Sequence, residues 1–180
     1  MLPLDIINKY YSDNEPLRRL LIRHSEDVTN LAIRIASHHP ELDIDIDFVR
    51  EAAMLHDIGI FQTNAPGIHC HGTQPYICHG ILGAELLVKE GLPRHARVAE
   101  RHTGAGITAV DIEQQNLPLP TADYLPETIE EKLICYADKF FSKSRPENIK
   151  TLDSARRSLQ KFGGETQARF EELVSMFGDV

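Results

Sequence analysis

The segment Leu55-His56-Asp57-Ile58-Gly59 limits the fold more than any other feature, because four further metal-competent side chains flank it at wide spacings. His24 precedes it, and His79, His102 and Asp138 follow it. Groups so far apart act together only when tertiary structure gathers them, so the pattern implies a built site and not a local clip. Imidazole nitrogen and carboxylate oxygen suit iron, manganese, nickel or zinc. A site without thiolate argues against a purely structural zinc.

Helical periodicity carries most of these residues. Asn14 reads as the N-cap, with Pro16 in the first turn, of a helix reaching about His38. His24, Val28, Leu31 and Ile35 share one face of it. Asp47 reads as the cap of a second helix over 48–58, stopped by Gly59. A loop over 61–78 follows, marked by Asn64, Pro66, Gly67, Gly72 and Pro75. The next predicted helix, 79–90, aligns His79, Leu82, Leu86 and Glu90, with Gly83 allowing a neighbour close. Pro93 opens a helix bearing His95, Val98, Ala99 and His102. An irregular stretch with Pro118, Pro120 and Pro126 leads to a helix over 127–141, where Ile134, Ala137, Asp138 and Phe141 cluster. Two more helices, 151–162 and 165–177, are divided by Gly163-Gly164.

The pattern predicts an all-α, single-domain helical bundle over 1–180, with its core at about 14–142 and a C-terminal helical extension at about 150–178. Long loops in compact domains are often lids or binding elements, which singles out 60–78 and 104–126. No repeat, low-complexity tract or convincing strand pattern is visible.

Taken singly, each inward histidine reads most simply as a satisfied core residue. Taken together, every group would need its own buried partner, and a core-facing Asp138 is costly unless paired or bound to a cation. A shared metal centre satisfies the set at once.

Composition narrows the function. The chain has 180 residues, 42% of them hydrophobic, enough for one domain with a substantial core. No apolar run reaches the roughly 20 residues of a membrane span. The start, Met1-Leu2-Pro3-Leu4-Asp5, lacks a basic region and long apolar stretch, so cytoplasmic residence is expected. Cys70, Cys78 and Cys135 form no CxxC pair, so reduced thiols are expected. A net charge of −8 argues against extended nucleic-acid binding. Nine histidines are the compositional outlier.

With these residues in place, the chain resembles the HD-domain metal-dependent phosphohydrolase superfamily. The pattern H…HD…D reads as His24, His56-Asp57 and Asp138, and the words HDIG and YADK look like that family's, over roughly 20–142. His79 and His102 match the extra ligands of its two-metal branches. Among these, the bacterial di-iron hydrolases of dinucleoside tetraphosphates look closest by size and ligand order. The GYP signature of the cyclic-dinucleotide phosphodiesterases is absent.

The resemblance implies one or two divalent ions: Fe, Mn, Ni or Zn, with Mg tolerated. His24, His56, Asp57 and Asp138 would hold one, and His79 and His102 a second, with Asp57 bridging. It implies hydrolysis of a phosphate ester or anhydride in a small substrate of the nucleotide class by metal-activated water. Asp57, or else Asp138, would orient that water. Metal binding brings water from a pKa of about 15.7 to about 7.

Arg101 and Lys139 adjoin these ligands and can contact phosphate, though neighbours on a helix point about 100° apart, so salt bridges or solvation fit equally. Lys143 and Arg145 have the same standing. His69-Cys70-His71 reads as a surface loop or lid, or as a further pair of imidazole ligands. Two other functions fit the same residues: a di-iron oxygenase of HD-like fold, and a non-catalytic nucleotide sensor. Oligomeric state and the identity of the substrate are not encoded legibly.

Overall fold

The longest helix starts where its cap predicts: the Asn14 side chain accepts a hydrogen bond from the Leu17 amide at 3.1 Å, with Pro16 in the first turn. The computed structural model describes residues 2–178, so Met1, Asp179 and Val180 of the predicted domain lie outside the described residues. The described residues form α1 (Pro3–Tyr10), α2 (Glu15–His38), α3 (Ile46–Leu55), α4 (His79–Lys89) and α5 (Pro93–Arg101). They continue with α6 (Ala109–Gln115), α7 (Ile129–Asp138), α8 (Leu152–Leu159) and α9 (Gly164–Phe177). The chain is an all-α single domain, with one two-stranded ribbon among the described residues.

The second predicted helix needs correction at both ends. Its cap is Asp45, not Asp47: the Asp45 carboxylate accepts from the Phe48 amide at 3.0 Å. Asp47 falls in the first turn, where negative charge suits the helix dipole. At the other end α3 stops at Leu55, and residues 56–59 are a turn. The Ile58 amide donates to the Leu55 carbonyl and the Ile60 amide to the Asp57 carbonyl, each at 3.1 Å.

Two helices stand where none is predicted. In α1 the buried pair Ile6-Ile7 packs inward, and the Tyr11 hydroxyl donates to the Ile58 carbonyl at 2.7 Å, tying the N-terminal segment to the His56-Asp57 turn. Inside the predicted irregular stretch, α6 opens with a reciprocal cap. Thr108 Oγ1 accepts from the Asp111 amide at 3.0 Å, and Asp111 accepts from the Thr108 amide at 2.9 Å. The 61–78 loop is also more ordered than its punctuation implies: β1 (Asn64–Ala65) pairs antiparallel with β2 (Cys70–His71), Asn64 opposite His71.

Two apolar clusters divide the core. One gathers the later part of α2 with α3, α7, α8 and α9, including Val28, Ala52, Ile134 and Phe170. The other gathers α1, the start of α2, α4 and α5, including Ile6, Leu21, Leu87 and Ala99. His24 lies between Leu21 of one cluster and Val28 of the other, so the helix changes clusters at the donor.

Close backbone approach joins α4 to the turn. A Cβ on Gly59 would sit 2.3 Å from the His79 carbonyl oxygen and 2.4 Å from the Gly83 nitrogen, so only glycine fits. The C-terminal helices complete the first cluster. The Tyr136 ring on α7 meets Phe170 at 5.6 Å and Phe177 at 5.5 Å on α9, aromatic contacts that add to area burial.

Candidate metal centre

The two oxygens of Asp57 face different partners. Oδ2 lies 3.1 Å from His24 Nε2 and 3.0 Å from His56 Nε2, while Oδ1 lies 3.3 Å from both His79 Nε2 and His102 Nε2. Asp138 Oδ1 joins the first set, 3.0 Å from His24 Nε2 and 3.5 Å from His56 Nε2. The structure therefore brings together all six residues singled out as ligands. They form two groups able to hold a metal ion, His24-His56-Asp57-Asp138 and Asp57-His79-His102, with ligand atoms within 4.8 Å of one another in each. All six side chains are buried.

Local structure aims the imidazoles. His56 Nδ1 donates to the Ala53 carbonyl at 2.6 Å, His79 Nδ1 to Tyr76 at 2.7 Å and His102 Nδ1 to Ala99 at 2.7 Å. Each acceptor is three residues back. His56 and His102 sit at the C-caps of α3 and α5, where helix carbonyls lack intrahelical partners. With Nδ1 carrying the proton, each Nε2 presents a lone pair to the centre.

That arrangement fits a cation and little else. His79 Nε2 and His102 Nε2 approach to 3.0 Å, and two lone-pair nitrogens cannot satisfy each other. His56 Nε2 and Asp57 Oδ1 are buried with no hydrogen-bond partner. Orphaned buried acceptors are costly, and a positive ion between them removes the cost.

The electrostatics divide the two groups. Burial pushes His79 down to about 3 and lowers His102, which keeps both rings neutral and available as ligands. Burial also opposes charge on His56, but Asp57 and Asp138 outweigh it and raise His56 to about 9. Both carboxylates are held well below their ordinary range despite burial: Asp57 chiefly by Lys143, and Asp138 chiefly by Lys139.

A cavity of about 430 Å³ opens over the centre, with His79, His102 and Asp138 in its floor. Lys139 and Lys143 line it; Lys139 Nζ lies 2.7 Å from Asp138 Oδ2 and Lys143 Nζ 2.5 Å from Asp57 Oδ2. Arg101 is elsewhere. Its guanidinium donates to the Leu125 carbonyl at 3.1 Å and pairs with Glu127 at 2.8 Å, so the structure does not bring it to the cavity with Lys139. The reason is rotational: one step along α5 turns Arg101 away from His102 and toward the chain leading into α7.

Three further residue groups are placed plainly. His69 and His71 are exposed and belong to neither donor group among the described residues, while Cys70 is buried and Ile68 touches the cavity. His95 pairs with Glu51 at 3.3 Å, away from the centre. Cys78 and Cys135 hold no place in either group.

Sequence reasoning missed Tyr76, whose ring stacks on His79 at 4.7 Å and whose carbonyl holds it. Its position three residues before a histidine was the available signal. Lys150, Lys161 and Phe162 also line the cavity and carried no local signal.

The HD domain family model matches residues 21–142, a span that holds all six donors. A curated relative from Picrophilus torridus, named tRNA (cytidine(56)-2'-O)-methyltransferase, is 45% identical over 162 residues, covering 88% of this chain and 43% of that one. A Thermoplasma volcanium protein of the same name is 32% identical, covering 96% and 45%. The chain thus spans less than half the length of these two relatives. An uncharacterised protein of Methanocaldococcus jannaschii is 31% identical, covering 98% of this chain and 94% of that one. Among solved structures, the HD domain of the L. monocytogenes phosphodiesterase PgpH matches with a TM-score of 0.54 at 16% identity, covering 95% and 96%, a likeness of fold. No helix among the described residues is long and apolar enough to cross a membrane. On its matched span and its donor order, the chain belongs to the HD domain family.

Proposed function

We propose that this chain is a metal-dependent phosphohydrolase that cleaves a phosphate ester or anhydride in a small substrate of the nucleotide class. One observation carries the reading: the two oxygens of Asp57 each face a separate set of aimed imidazoles, beneath a cavity lined by lysines.

When bound, divalent cations at the two groups would supply a water of lowered pKa and Lewis-acid contact to phosphoryl oxygens. The chain's own residues do the rest. His24, His56, His79 and His102 offer ring nitrogens, those of His79 and His102 kept neutral by burial, and Asp57 offers one oxygen to each group. Asp57 and Asp138, ionised and buried, can orient the attacking water, whose proton leaves to solvent because its pKa is lowered. Lys139 and Lys143 bring positive charge to the cavity floor, where it offsets charge building on the phosphoryl group.

The methyltransferase relatives are reconciled by length. A unit of this size makes up 94% of the M. jannaschii relative, while more than half of each methyltransferase lies outside the match. We assign their methyl transfer to that unmatched part, since buried His and Asp clusters serve cation binding and not transfer of a methyl group to ribose. The test is metal analysis of the purified protein, then a phosphatase and phosphodiesterase substrate panel with Asp57→Ala as control. Metal-dependent turnover in air and under nitrogen, lost in Asp57→Ala, is the expected result. Turnover that requires oxygen would replace the hydrolase with an oxygenase. Nucleotide binding with no turnover would make the chain a sensor.

A further inference from the structure

The cavity over the donor groups is not closed by the family-matched span alone. Residues beyond 142 supply Lys143, Lys150, Ser158, Lys161 and Phe162 to its walls. Four lysines therefore face one cavity in a chain whose net charge is −8.

These lysines fall into two kinds. Lys139 and Lys143 are each committed to a carboxylate, Asp138 and Asp57 respectively. Lys150 and Lys161 are not: neither has an ion pair or side-chain hydrogen bond to another described residue. Lys161 Nζ rests 4.8 Å from the Phe162 ring, on a residue that also lines the cavity. Lys150 is half-buried, and its amide donates to the Phe140 carbonyl at 2.8 Å, which fastens its backbone beside the end of α7. Burial and the neighbouring Lys139 lower its pKa against the opposing pull of Asp138, and Lys143 and Lys161 add to the crowding of positive charge.

A single phosphoryl group held over Asp57 and Asp138 has Lys139 and Lys143 at hand. It leaves the other two lysines with nothing to bind. We propose that Lys150 and Lys161 form a second phosphate subsite, so that the substrate carries at least two phosphoryl groups: one over the donor groups, and another held by the C-terminal third of the chain. This deepens the hydrolase reading and rests on it for the first phosphate. A nucleoside diphosphate, a longer polyphosphate or an inorganic polyphosphate share the required chemistry.

Equilibrium titration of the Mn²⁺-loaded protein at constant free Mn²⁺ tests it, with inorganic tripolyphosphate and orthophosphate as probes. Lys150→Ala and Lys161→Ala should each weaken tripolyphosphate binding about tenfold, since a hydrogen bond to a charged group is worth about 1.5–3 kcal/mol. Orthophosphate binding should change less than twofold. Lys150→Arg should retain most of the affinity, and Lys89→Ala, on a remote surface of α4, should leave both probes unaffected. Equal losses for the two probes, or losses matched by Lys89→Ala, would overturn the subsite, because they report general charge and not a second phosphate. The two readings fail separately. The tripolyphosphate-selective loss without turnover of any phosphorylated substrate removes the hydrolase and keeps the subsite. Metal-dependent turnover without that selective loss removes the subsite alone.

Discussion

The floor and the wall of the cavity are built on opposite principles. The floor is buried and locked: three histidines are tied through Nδ1 to carbonyls three residues back, and every donor belongs to the 21–142 span. The lysines contributed by the C-terminal third are half-buried or exposed, and Lys150 and Lys161 there have no ion-pair or side-chain hydrogen-bond partner among the described residues. Rigid burial suits groups that must hold a cation in a set geometry, since each misplaced ligand loses its contact outright. Longer, freer side chains suit recognition of charge, which tolerates displacement. On the proposed reading, the contrast separates residues that perform chemistry from residues that select the molecule on which it is done.

The sharpest way to break this comparison is to remove the residue that both donor groups share. Asp57→Ala should empty the centre of metal and lower kcat/KM by about a thousandfold or more, the several kcal/mol that a metal-centred site supplies. Metal content by mass spectrometry and steady-state kinetics read the two effects. Retention of both metal and rate would place the chemistry elsewhere.

Next in size is the joint between the turn and α4. Gly59→Ala puts a Cβ against the backbone of His79 and Gly83, where no flexible side chain can yield. We expect a cost of about 3 kcal/mol in chemical denaturation, with weaker binding at the His79-His102 group than at the His24-Asp138 group. An unchanged midpoint would mean that the backbones of the turn and α4 can part to admit a Cβ.

Arg101 sharpens the contrast from outside the cavity. Arg101→Ala should cost about 2 kcal/mol of stability by leaving Glu127, Glu131 and the Leu125 carbonyl short of a donor. Below its melting temperature the variant should keep the KM of the unaltered protein, whereas Lys139→Ala should raise it. A KM shift in Arg101→Ala alone would return that residue to the site.

The smallest effect follows from protonation. In the metal-free protein His56 is raised from 6.5 to about 9, so its stabilising contribution is complete below about 6.5 and fades as pH rises through about 9. Between those values a proton competes with a cation for the same nitrogen. Metal affinity should therefore climb by at most about tenfold per pH unit, about 1.4 kcal/mol, and level off above 9. Calorimetry in buffers of different ionisation enthalpy would register the proton released on binding. No release at pH 7 would mean that His56 is already neutral.

Much of this centre is legible in the amino-acid sequence. His24 on its apolar stripe, the His56-Asp57 pair, His79, His102 and an Asp138 surrounded by Ala137 and Phe141 could be read as a converging set, because buried polar groups must find partners. The capped start at Asn14 was equally clear. Other features were not. Asp45 and Asp47 are both good caps two residues apart, and only the packing of Phe48 and Val49 into the core selects Asp45. The Thr108–Asp111 capping box was visible in the sequence, but the surrounding prolines and glycines masked α6. Arg101 adjoins a donor in sequence and still points to Glu127 and Glu131, because adjacency along a helix is not adjacency in space.

What the amino-acid order determined by itself was the inventory: which residue types are available, which helix faces are apolar, and which polar groups lie on those faces and so demand a common partner. Those properties depend on spacing of a few residues, and helical periodicity expresses them directly. Tertiary structure alone decided that the two oxygens of Asp57 would part between two sets of imidazoles, that Arg101 would leave the site, and that Lys150 and Lys161 would reach it. Such outcomes depend on how distant helices cross and pack, and no local pattern in the chain encodes a direction in space.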